Sequence, residues 1–145
     1  ADYYAKANAD TVVGVMIETE RAVQNAPAIA ATSGIDFVLI GSGDLAISLG
    51  TFPKPDDRHE QACRAVLAAC KAEGVPCAIF TNTVDAAIQR RREGYALVVV
   101  ANDIDVLKSG FSAAVTRFND ATLNSGKPAG GADLVRVKRH RASTP

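Results

Sequence analysis

Three observations predict an α/β fold built on a parallel sheet of about four βα units. Apolar, β-branched runs alternate regularly with amphipathic stretches along the chain. Gly34, Gly74 and Gly94 each stand between a helical pattern and the next apolar run, where a left-handed helix cap is wanted. The first two apolar runs also end in an acid, Glu18 and then Asp44. One strand-helix-strand unit separates them, so in a parallel sheet both emerge at the edge where α/β proteins place their chemistry.

The opening Ala1-Asp-Tyr-Tyr-Ala-Lys-Ala-Asn has no initiator Met and reads as the last turns of a helix feeding a strand, as in a fragment or one piece of a cleaved enzyme. Strands are predicted at about 11–17, 35–40, 76–81 and 96–101. Helices follow at about 20–32, interrupted near Pro27, and at 58–73, 84–93 and 103–122. In the 58–73 helix, Ala62, Cys63, Val66, Leu67 and Cys70 recur at helical spacing and form an apolar stripe. Ile104, Leu107, Phe111, Val115 and Phe118 do the same in the last helix. Ahead of the 58–73 helix, Ala46 to Arg58 reads as a long loop over the active edge, with a short helix after Asp44. From residue 124 apolar periodicity stops; Asn124-Ser-Gly-Lys-Pro-Ala-Gly-Gly is a flexible composition, and a short basic run starts at Leu134.

The 145 residues are 48% apolar and 22% charged with no formal net charge, enough apolar material for a core. Neutrality and the absence of aromatic interleaving argue against nucleic acid as a partner. No apolar stretch approaches the ~20 residues of a membrane span and no basic-then-apolar leader precedes the first strand, which favours the cytoplasm and no membrane partner. Cys63 and Cys70 lie two helical turns apart, about 10 Å along the axis and beyond disulfide reach, and Cys77 begins a buried strand. All three read as reduced packing residues.

Glu18 and Asp44 offer two hard oxygen ligands, with room for waters and a bidentate substrate, which suits Mg²⁺ or Mn²⁺. The competing reading makes both of them helix caps. In Gly41-Ser42-Gly43-Asp44 the glycines allow a close backbone approach, and the amides of Gly43 and Asp44 at a helix start can receive a carboxylate. A 2-oxo acid fits both features. His59, among Asp56, Asp57, Arg58 and Glu60, reads as a solvated surface histidine, and His140 lies in the tail. Asp103 and Asp105 read as caps of the last helix, and Arg90, Arg91 and Arg92 as a solvated outer face.

Met16-Ile-Glu-Thr-Glu-Arg-Ala-Val, the segment Ala28–Gly50 and Val99-Val-Ala-Asn-Asp-Ile-Asp-Val-Leu107 resemble, in order and spacing, the metal-dependent (class II) pyruvate aldolases. The likeness is to the 4-hydroxy-2-oxoheptanedioate and 2-dehydro-3-deoxyglucarate aldolase type, with Glu-Thr after one strand and Gly-Pro-x-Asp-Leu after the next. It covers roughly residues 1 to 120. In the family that stretch is the C-terminal half of a (β/α)₈ TIM barrel, and 145 residues are too few for the ~200 to 250 of a whole one. The resemblance therefore implies a half-barrel over 1–123, a flexible basic tail over 124–145, and an N-terminal half of the barrel as partner. It also implies a homo-oligomer.

The implied reaction is cleavage of a 4-hydroxy-2-oxo acid to pyruvate and an aldehyde, through a pyruvate enolate stabilised by a divalent ion, Mg²⁺, Mn²⁺ or Co²⁺. Glu18 and Asp44 would be its ligands; Gly43, Asp44, Ser42, Met16 and Phe80 would line the substrate site. The family's base histidine and steadying arginine come from the first half of the barrel, so this chain alone would bind metal poorly and catalyse little. Three departures bear on substrate: Met16 replaces a common Gln, Ser42 the usual Pro, and Phe80-Thr81 a common Leu-Ala. They leave open a citrate lyase β-type lyase acting on CoA esters, or a non-catalytic half-barrel interaction module.

Overall fold

The computed structural model describes residues 2–123. The tail expected over 124–145, with His140 and the basic run, lies outside the described residues. Helix α1 (Asp2–Asp10) leads into strand β1 (Gly14–Ile17). There follow α2 (Glu20–Gln24), α3 (Ala26–Ala30), β2 (Phe37–Ile40), α4 (Ser42–Ser48), α5 (Asp57–Glu73), β3 (Cys77–Phe80), α6 (Val84–Glu93), β4 (Leu97–Val99) and α7 (Asp103–Leu123). The four strands form one parallel sheet in sequence order. Every connection between neighbours thus passes through helix, as parallel pairing demands.

Register separates the two faces of the sheet. Ile17, Ile40, Ile79 and Val98 lie in one row, and Val15, Val38 and Cys77 in the row below. These pack with the buried Ala62, Cys63, Val66, Leu67 and Cys70 of α5, the stripe read from the sequence. The other face carries Met16, Leu39, Ala78 and Leu97 in register. Met16 and Leu97 are more than half exposed there.

Local chemistry sets the element ends. The expected 20–32 helix breaks at Asn25, just before Pro27, into α2 and α3. Gly34, Gly74 and Gly94 adopt φ of +86°, +70° and +104°, left-handed values that L side chains resist. β1 starts three residues later than expected, because Val13 pairs with Asp36 outside the strand: its N–H donates to Asp36 Oδ2 at 2.7 Å and its carbonyl accepts from the Asp36 amide at 2.8 Å. Tyr95, fully buried, donates its hydroxyl to the Cys63 carbonyl at 3.2 Å, which ties the entry to β4 onto α5.

Two expectations change at the helix starts. The cap of α7 is Asn102, whose Oδ1 accepts from the Asp105 amide at 2.9 Å while its Nδ2 donates to Asp105 Oδ2 at 2.7 Å, a side-chain pair across the first turn. Asp103 is therefore the first helical residue, and Asp105 answers the cap instead of forming it. The arginine run is also divided. Three successive helical residues point about 100° apart, and Arg90 turns inward, its side chain 12% exposed, between Glu60 and Glu93. Helix α7, considered alone, presents its apolar stripe to solvent, with Phe111 69% and Phe118 67% exposed.

Candidate metal and substrate site

Glu18 directly follows β1, and Gly41 directly follows β2. Parallel pairing of Ile17 with Ile40 continues into a bond from the Gly41 amide to the Ile17 carbonyl at 3.1 Å, so the two chain turns leave the sheet side by side. The half-buried Glu18 carboxylate lies over Gly41: a Cβ built on that glycine would be 3.0 Å from Glu18 Oε2. A side chain at position 41 would crowd Glu18 and Met16 and require them to shift.

Neither acid is a helix cap. Thr19 caps α2, its hydroxyl accepting from the Ala22 amide at 3.2 Å, which leaves Glu18 outside the helix. Gly41 is the N-cap of α4, without a side-chain bond, and α4 begins at Ser42, so the short helix starts before Asp44 and not after it. Asp44 stands in its first turn, exposed. Among the described residues neither carboxylate has an ion-pair or hydrogen-bond partner. Both acids lie past the C-terminal ends of adjacent parallel strands, at one edge of the sheet.

Beside them is a cleft of about 290 Å³ lined by Met16, Leu39, Gly41, Ser42, Gly43, Asp44 and Phe80. All five residues expected to line the substrate site are in it. Its floor is the open sheet face, and its rim is the first turn of α4. No group of three or more His, Cys, Asp or Glu side chains able to hold a metal ion occurs among the described residues. Glu18 and Asp44 alone are short of such a group; as hard oxygen donors they are of the type a Mg²⁺ or Mn²⁺ ion accepts, and such an ion would need further oxygens from water, substrate or other protein.

The reading of His59 as a solvated surface histidine is overturned. It is 2% exposed, and its Nε2 lies 3.0 Å from the Ser42 carbonyl and 3.4 Å from Ser42 Oγ. The signal was present in the sequence, because position 59 continues the stripe of Cys63, Val66 and Cys70 by one turn. Next to it, Arg90 Nη1 donates to Glu60 Oε2 and to Glu93 Oε2, each at 2.9 Å, while Nη2 donates to Glu60 Oε1. That guanidinium holds the Glu60 carboxyl below the usual carboxylate range. Burial pushes the Cys63 thiol up to about 11, so it stays protonated. The three cysteines are free and buried, as expected of packing residues.

Residues 3–109 match the model of the HpcH/HpaI aldolase/citrate lyase family. The chain belongs to that family. The 5-keto-4-deoxy-D-glucarate aldolase of Salmonella arizonae is 37% identical over 113 residues, 75% of this chain and 43% of the relative. Among solved structures, a HpcH/HpaI aldolase/citrate lyase family protein of Burkholderia cenocepacia is 38% identical with a TM-score of 0.75, covering 81% of this chain and 46% of that one. The HpcH/HpaI aldolase of Desulfitobacterium hafniense, 21% identical with a TM-score of 0.73, covers 82% of this chain and 47% of that one and shares the fold. The chain thus spans less than half the length of these HpcH/HpaI relatives. Its four βα units are a portion of a TIM-barrel-like α/β fold.

Proposed function

We propose that this chain carries the metal- and 2-oxo-acid-binding half of an HpcH/HpaI carbon-carbon lyase, which cleaves a 4-hydroxy-2-oxo acid to pyruvate and an aldehyde. The observation that carries the reading is the pair of carboxylates without a partner among the described residues, Glu18 just after β1 and Asp44 in the first turn of α4 after the neighbouring β2, at the edge that bears the Met16–Phe80 cleft. Glu18 and Asp44 would hold a divalent ion, Mg²⁺ or Mn²⁺, which supplies Lewis acidity toward the 2-oxo acid. Ser42, Gly43 and Asp44 present first-turn amides of α4 that have no acceptor within the helix. Gly43 has no heavy atom within 4 Å of where a Cβ would stand, which leaves that backbone open to a ligand carboxylate. Met16 and Phe80 wall the cleft with apolar surface and restrict water beside the reacting carbons.

No residue of the cleft is a suitable base. His59 is turned toward the Ser42 carbonyl, and the base and a steadying cation come from the complementary N-terminal half of the barrel in this reading. Residues 1–123 are then the half-barrel unit.

The test is pyruvate release from 4-hydroxy-2-oxo acids by the complete protein, before and after chelation of divalent ions. Metal-dependent release that is lost in Asp44→Asn supports the reading. The family spans aldolases and citrate lyases, so competition by an acyl-CoA distinguishes the CoA-ester alternative. Absence of metal binding by the complete protein favours a non-catalytic half-barrel.

A further inference from the structure

We propose that His59 is a positioning residue that anchors the turn carrying Ser42, Gly43 and Asp44; the link to ligand binding rests on the function proposed above. The turn has little of its own to hold it. Its N-cap is Gly41, which offers no side-chain bond, and Gly43 adds backbone freedom one residue before Asp44. The other end of α4 is fastened: the Thr51 and Phe52 amides donate to the Ala46 carbonyl at 2.8 and 3.2 Å, and Ser48 Oγ accepts from the Glu20 amide at 3.0 Å. At the end bearing Asp44, the ring of His59 supplies the side-chain tie.

The geometry also assigns its tautomer. A carbonyl only accepts, so the 3.0 Å contact with the Ser42 carbonyl places the proton on Nε2. Cys63 Sγ lies 3.9 Å from each ring nitrogen and does not choose between them, so the assignment rests on the carbonyl contact. Nε2 therefore has no lone pair to take a proton from Ser42 Oγ at 3.4 Å, and the Ser42–His59 pair is not a nucleophile and its base. The ring is held by α5: its own amide faces Asp56 Oδ1 at 3.4 Å, and the side chain is buried on the Cys63 stripe. A rigid 17-residue helix thus fixes the start of a short uncapped one.

The experiment compares His59→Leu, which fills the site without a donor, with His59→Gln, whose Nε2 can still reach the carbonyl. Both are made in the full protein. Amide hydrogen exchange is followed at Leu45, bonded to the Gly41 carbonyl at 2.9 Å, against α5 amides from Val66 to Cys70 as internal reference. Mn²⁺ affinity is measured in parallel. His59→Leu should exchange about tenfold faster at Leu45 and bind Mn²⁺ about tenfold more weakly with α5 unchanged, and His59→Gln should restore both within about threefold. Unchanged exchange in His59→Leu, or equal defects in both variants, overturns the anchor. Faster exchange with unaltered Mn²⁺ affinity overturns its link to the site. If the wild type binds no Mn²⁺ the proposed function fails, and the exchange arm still decides the anchor. Should His59→Leu not fold, His59→Asn, with its donor one methylene short, takes its place with the same expected outcomes.

Discussion

The Glu18 carboxylate rests on the bare Cα of Gly41, with Oε2 3.0 Å, Glu18 Cβ 3.1 Å and Met16 Sδ 3.2 Å from where a Cβ would stand. Gly41 has φ of −76°, a value any residue adopts, so alanine there meets crowding and not backbone strain. Gly41→Ala should push the carboxylate aside. The expected result is Mn²⁺ affinity reduced by about tenfold or more, with a stability loss of about 1 kcal/mol in urea denaturation. Affinity equal to wild type would show that Glu18 is not a ligand.

A contrasting glycine lies at the start of β1, the strand that Glu18 follows. A Cβ on Gly14 would fall 2.2 Å from Cζ of the Phe37 ring, its register partner, far inside contact distance. Gly14→Ala should destabilise the fold by about 1–3 kcal/mol as the ring is displaced, with Mn²⁺ affinity unchanged. Denaturation and metal titration of the same sample separate the two effects.

The Glu60–Arg90 pair gives a pH signature. Because Arg90 lowers the Glu60 pKa in the folded state, the stabilisation is present above the unfolded value of 4.5 and is lost as pH falls through the lower folded value. At pH 7, Glu60→Gln should cost about 1–3 kcal/mol, since a largely buried guanidinium loses one of its carboxylates. Below about pH 4.5 that difference should shrink. Denaturation midpoints that differ equally at pH 7 and pH 3.5 would contradict the pairing.

The architecture was legible because alternation of β-branched runs with 3.6-residue stripes is set by burial, and burial is the same force that fixes the fold. Left-handed glycines marked three of the junctions for a steric reason that needs no tertiary context. The acids at the strand ends were equally legible, whereas their release from capping was not, because Thr19 and Gly41 were each as plausible as their neighbours in the role. His59 and Arg90 were misjudged for one reason. Each sits in a charged stretch, and a run of charges along the sequence hides the helical phase that turns one member inward. For His59 the phase of Cys63, Val66 and Cys70 held the answer; for Arg90 it required the position of Glu60, thirty residues away.

On the proposed function, substitutions at Asp44 and Met16 in the complete protein would separate metal ligand from substrate pocket. Asp44→Asn preserves size and the α4 amides but removes a negative charge, so Mn²⁺ affinity and turnover should fall together, by about tenfold or more, with partial recovery of kcat at high metal. Loss of the favourable charge at the helix start should itself cost only about 0.3–1 kcal/mol of stability. Met16 is 54% exposed and lines the cleft beside Leu39 without being an oxygen ligand. Met16→Gln adds a hydrogen-bonding group there, so KM for the 2-oxo acid, or the choice between 2-oxo acids, should change while Mn²⁺ affinity holds. Steady-state kinetics across a metal series reads both variants on one grid. If Asp44→Asn kept full activity at limiting metal, Asp44 would serve only the helix dipole, and the proposed metal pair would lose one of its two carboxylates.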